Sequence, residues 1–151
     1  MEIINRKNVE EFILSILKSI DDTRHSWCSG INECDFYENA ENGEKYQSLI
    51  REGVESLREQ GRITYIKDGN CIESIRFNVE PDEKEKNLII NNIVDSIVPD
   101  DDGCYSTEQD YLVPDSQIPT LLKLANLKNP DENFKKCKIE TNSYDVHYYF
   151  Y

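Results

Sequence analysis

Two imidazoles, five thiols and 30 carboxylates are the groups in this chain that could do chemistry. His25 lies three residues before Cys28. A catalytic Cys–His pair is usually assembled from positions remote in sequence, so this spacing is weak evidence for one. His147 falls in an alternating segment that reads as a strand, where a surface hydrogen bond is its expected role. No G-x-S-x-G, H-E-x-x-H, Gly-rich phosphate loop or C-x-x-C occurs. With acids this abundant, no pair of carboxylates stands out for general acid–base work. The expectation is a protein that is not an enzyme.

Metal ligands are tested by spacing. Asp100-Asp101-Asp102-Gly103 has the look of a calcium loop. With Gly103 at the loop's sixth position, Val98 would be its first ligand and Gln109 its twelfth, and neither is a carboxylate. His25, Cys28 and Cys34 offer three zinc ligands, with no fourth at a recognisable distance. The expectation is no metal and no cofactor. The five cysteines are odd in number, widely spaced and without a preceding export signal, which favours free thiols over a disulfide framework.

What remains is charge. Formal net charge is −13, from 30 acids and 17 bases. A surface of that sign is repelled by nucleic acid phosphates and anionic membranes, and attracted to a basic protein. From Asn87 to Leu122 there is no Lys or Arg, while Asp95, Asp100, Asp101, Asp102, Glu108, Asp110 and Asp115 fall inside. From His25 to Glu44 bases are again missing, beside Glu33, Asp35, Glu38 and Glu41. Seven like charges in one small domain repel one another when it folds, a cost tolerated for solubility, a metal or a positive partner. Residues 1–80 carry 16 acids and 10 bases, and residues 81–151 carry 14 and 7, so the bias is global.

The elements that must position these groups are read from periodicity. Val9, Phe12, Ile13, Ile16, Leu17 and Ile20 repeat at helical spacing, predicting a helix over 9–21 capped by Asn8. A second helix is predicted over 44–60 on the stripe Tyr46, Leu49, Ile50, Gly53, Val54 and Leu57, with Gly61 as its left-handed cap. Asp68-Gly69 signals a hairpin over 62–79. The order then recurs, with helices over 83–98 and 116–128 and a hairpin over 134–151 turning at Asn142-Ser143. In the last strand Tyr144, Val146, Tyr148 and Phe150 share a face. Ser15–Ile20 can be laid on Asn92–Ile97, which brings Cys28 within one residue of Cys104. The fold class is α+β, with halves 1–80 and 81–151 expected to pack as one body, since units this small bury little core alone.

Helix, connector, helix and hairpin is the order of a winged-helix domain. The stripe from Tyr46 to Leu57, Gly61 and the Asp68-Gly69 turn carry the likeness, which covers Val9 to Val79 and resembles the superfamily by fold pattern. The resemblance implies nucleic-acid binding through the second helix. That helix sets Glu44, Glu52, Glu55 and Glu59 against Lys45, Arg51 and Arg58, so it lacks the clustered basic face that phosphates require.

A basic protein partner is therefore the leading expectation. The candidate contact residues are Asp100, Asp101, Asp102, Tyr105, Glu108, Asp110, Tyr111 and Asp115 in one connector, and Glu33, Asp35, Phe36, Tyr37 and Glu38 in the other. Aromatic anchors among carboxylates suit a tight interface with a Lys/Arg-rich surface. The function expected is a non-enzymatic inhibitor, most naturally an immunity protein against a toxin such as a nuclease. Alternatives are a phage-encoded inhibitor of a host defence enzyme and a winged-helix regulator. No signal peptide and no run of about 20 apolar residues is seen, so a cytoplasmic protein without membrane association is expected.

Overall fold

The computed structural model describes residues 4–39, 43–141 and 145–151. The chain divides into two compact units, Met1–Glu80 and Pro81–Tyr151. The class is α+β, with helices and two separate antiparallel sheets.

In the first unit, α1 (Val9–Lys18) is followed by the short α2 (Cys34–Glu38), α3 (Gln47–Glu59) and the strands β1 (Ile63–Asp68) and β2 (Cys71–Phe77). Helix α1 is shorter than its apolar stripe predicts. Ser19 Oγ donates to the carbonyl of Ile16, and the Thr23 hydroxyl takes the carbonyls of Leu17 and Ile20, so the last turn is closed by side chains. Asn8 stands at the expected N-cap position, but its side chain makes no capping bond to the helix and accepts from the N–H of Asn5. Helix α3 starts at Gln47 because Gly43–Tyr46 winds as a tighter 3-10 turn. It ends at a Gly61 with φ of 75°, where Arg62 N–H reaches back to Leu57.

Val9, Phe12, Ile13 and Leu17 pack on Ile50, Val54 and Leu57, over Ile63, Ile72, Ile75 and Phe36. The two long helices meet at Gly53, where a Cβ would lie 2.8 Å from Ile13 Cδ1. Beside the two-stranded sheet, Ile31 makes an isolated bridge to Ile75 of β2, bonded in both directions at 3.1 and 2.8 Å.

The second unit holds α4 (Glu83–Asp95), β3 (Val98–Pro99), β4 (Tyr105–Gln109), α5 (Ile118–Lys128), β5 (Cys137–Thr141) and β6 (Val146–Phe150). Asp82 caps α4 by accepting from Glu85 N–H at 2.8 Å. The helix stops three residues earlier than expected, where Ser96 Oγ takes the Asn92 carbonyl and the chain enters β3. Asp115–Gln117 is a 3-10 turn, and α5 begins at Ile118 with Pro119 in its first turn. The expected turn at Asn142-Ser143 and the face of Tyr144 lie outside the described residues.

The acidic connector, expected as a plain linker between helices, contributes strands to a sheet. Its residues form β3 and β4 in a four-stranded antiparallel order β3-β4-β6-β5. The reason is alternation: Tyr105 and Thr107 face inward against Phe150 and Tyr148, while Ser106 and Glu108 face out. The two units differ in their sheets: the first has the two strands β1 and β2 with a single bridge from Ile31 to Ile75 of β2, and the second has four strands, with β4 beside β6.

Candidate functional site

The first connector is mostly committed to structure. Glu33 is 7% exposed and accepts from Arg51 Nε and Nη2 at 2.7 and 2.6 Å and from the Tyr37 hydroxyl at 2.9 Å. Burial alone would raise its carboxyl, but these donors outweigh it and hold it below the ordinary value. Burial and the Glu33 charge push Tyr37 up to about 12. Phe36 is fully buried. Asp35 accepts from Asn32 N–H at 3.0 Å, and Glu38 is exposed. Of the five candidates there, Glu33 and Phe36 are the buried ones: Glu33 ties the connector to α3 through Arg51, and Phe36 lies in the core.

In the second unit, Asp100, Asp101 and Asp102 form the tip between β3 and β4. Asp100 Oδ1 accepts from the N–H groups of Asp102 and Cys104, both at 2.9 Å. Gly103, at φ of 79°, completes the turn. Asp100 thus builds the turn, while Asp101 and Asp102 stand exposed. Tyr105 packs edge-on to Phe134 and its hydroxyl donates to Glu132 at 2.8 Å. The Tyr111 carbonyl accepts the buried Tyr148 hydroxyl, which itself accepts from Val113 N–H at 3.1 Å. Asp110 and Asp115 are exposed.

Glu108 leads to residues that sequence reasoning missed. It is exposed on β4, directly opposite His147 on β6, which is in turn opposite Glu140 on β5. The neighbouring row runs Ser106, Tyr149, Lys138. Alternation puts this set on the outer face, because Val146, Tyr148 and Phe150 fill the inner one. The rings of His147 and Tyr149 stack at 6.0 Å, and Lys138 pairs with Glu140 at 2.7 Å. Asp145 contacts Glu108, and its hydrogen bond and charge raise the Glu108 carboxyl above the ordinary value. Beside them, Cys104, Tyr149, Tyr151 and Lys138 line a depression of about 440 Å³. The face joins three strands and Asp145, which precedes β6, so no window of sequence contains it. The strand alternation of 146–150, followed to its outward positions, was the signal that could have found it.

Three of the bases on α3 and the hairpin of the first unit are internally engaged. Arg51 is held by Glu33, Lys67 pairs with Glu55 at 3.1 Å, and Arg58 lies over the Tyr65 ring at 4.7 Å. His25 and Cys28 do meet, with Nδ1 and Sγ 3.5 Å apart, but Nδ1 also accepts from Trp27 N–H. Burial pushes the Cys28 thiol up, the reverse of what a nucleophile needs. All five cysteines are free. Among the described residues, no helix is long and apolar enough to cross a membrane. The chain matches no protein-family model, no curated protein and no solved structure, so the winged-helix resemblance of its halves rests on element order alone.

Proposed function

We propose that this chain is a non-enzymatic acidic inhibitor that binds and neutralises a basic protein partner in the cytoplasm. The class that fits is an immunity protein against a toxin, in particular a nuclease. The observation that carries the reading is the outer face of β4, β6 and β5. There Tyr149 and His147 lie among Glu108, Glu140 and Asp145, beside the exposed Asp101 and Asp102 of the turn. An aromatic centre within a carboxylate rim is complementary to a cationic surface, and the net charge of −13 would speed encounter. Carboxylates would stand where the partner holds phosphates.

The test is co-expression with the product of the adjacent gene, followed by binding of the purified pair. Rescue of growth and a stable complex are expected. Tyr149→Ala should weaken the complex about tenfold or more, as an aromatic anchor does. A complex indifferent to Tyr149→Ala and to Glu108→Gln with Glu140→Gln would remove this face from the reading.

A winged-helix regulator is the second reading. It draws on the order of helix, connector, helix and paired strands that recurs along the chain. Against it stands the internal pairing of Arg51, Arg58 and Lys67. Micromolar binding to mixed-sequence duplex at low salt, lost steeply on adding salt, would favour it over the inhibitor.

A further inference from the structure

We infer that Glu108, Asp145 and His147 form a divalent-cation site on the outer face of the second unit's sheet. The site shares Glu108, Asp145 and His147 with the face proposed to meet a basic partner, but rests on the geometry of their ligand atoms and needs no partner.

Three features carry it. The first is convergence. Asp145 immediately precedes β6, two residues before His147, and its carboxylate lies near the His147 ring. Glu108 is the cross-strand partner of His147. One imidazole nitrogen and two carboxylate oxygens lie within 4.8 Å of one another. Small side-chain rotations bring such a triad to the roughly 3–4 Å ligand separations that surround an ion with bonds of about 2.0–2.2 Å.

The second feature is the donor set. A mixed nitrogen and oxygen set suits the borderline first-row divalent ions, Zn²⁺, Co²⁺ and Mn²⁺. Calcium takes oxygen ligands and would leave the imidazole unused. Two carboxylates with a neutral imidazole carry the charge that one divalent ion cancels. Three protein ligands on an exposed sheet face leave coordination positions open to water or to a partner's side chain.

The third is the local charge balance. Glu108 is in contact with Asp145, and Asp110 adds its charge. Lys138, the ammonium on the same sheet face, is taken by Glu140 on the far side of His147. The triad is thus a place where negative potential converges on a nitrogen donor.

The probe is Co²⁺, added to the full reduced chain and followed by visible absorption and calorimetry. The expected result is saturation at one ion per chain, with ligand-field bands and no thiolate charge-transfer band. His147→Ala and Glu108→Gln should each weaken binding about tenfold or more, as loss of a ligand does. Glu140→Gln, across the strand from the same histidine, removes no ligand and should weaken binding less than about threefold, through the Lys138 ammonium it releases. If His147→Ala fails to fold by circular dichroism, Asp145→Asn takes its place with the same expectation. Three results overturn the proposal: no saturable binding up to millimolar Co²⁺, a dominant thiolate band, or equal loss in Glu140→Gln, which would mark a diffuse acidic surface.

Discussion

Glu33 and Glu108 look alike in the sequence, each an acid in a stretch without bases, yet the fold gives them opposite roles. Glu33 is buried against Arg51, and Glu108 is exposed against Asp145. Only the distance along the chain between Glu33 and Arg51, closed by the fold, tells them apart. The consequence for pH is definite. The folded carboxyl of Glu33 lies below its ordinary value of 4.5, so its contribution is complete above that pH. It is lost as pH falls through the lower folded value. Glu33→Gln should therefore flatten the acid limb of a stability profile measured by denaturant unfolding between about pH 6 and pH 3. Arg51→Met, which strands the buried carboxylate, should cost about 1.5–3 kcal/mol at neutral pH in the same measurement. In the second unit, Tyr148→Phe removes the acceptor of Val113 N–H and the donor to Tyr111, and should cost about 1–3 kcal/mol.

At the scale of elements, periodicity located α1, α3, α4, α5 and both hairpins. What it could not place were side chains that close a helix early, such as Thr23 and Ser96. Nor could it see that an acidic linker would enter a sheet, because only Tyr105 and Thr107 face its core. Two glycines show how the same residue type carries unequal weight. Gly30 has φ of 77°, and a Cβ there would lie 2.4 Å from the Ser74 carbonyl carbon, itself in a residue at φ of 53°. Gly61 has φ of 75° with nothing within 4 Å. Gly61→Ala should cost about 1–2 kcal/mol from backbone conformation alone. Gly30→Ala must add a backbone displacement at the Ile31–Ile75 bridge, so its melting temperature should fall well below that of Gly61→Ala. A parallel contrast holds at the β3–β4 tip. Asp100→Ala removes two turn-building bonds and should destabilise, whereas Asp101→Ala should be neutral in stability and weaken only the partner complex.

At the scale of the whole molecule, charge was fully legible and its arrangement was not. The composition fixes a net −13, and self-repulsion of that size opposes folding. Raising ionic strength from about 0.02 to about 0.5 M shortens the screening length severalfold. The thermal midpoint should rise over that range, while affinity for a basic partner should fall. A midpoint that drops with salt would mean that internal pairs such as Arg51–Glu33 outweigh the repulsion. The aromatic and imidazole face at Tyr149 and His147 was hidden in the sequence because inward alternation draws attention to Tyr148 and Phe150. Its outward residues become a site only when β4 and β5 are laid on either side.

That placement of β6 has a consequence for how the molecule is made. Neither β4 nor β5 pairs with the other, and each finds its partner in β6, the latest of the four strands to leave the ribosome. Loop closure from β4 to β6 spans all of α5 and β5. The first unit, by contrast, is complete in sequence by Glu80. Synthesis should thus present the whole sequence of the amino-terminal unit before β4 can gain its β6 neighbour, and the like charges of the waiting β3–β4 segment oppose its association with other copies.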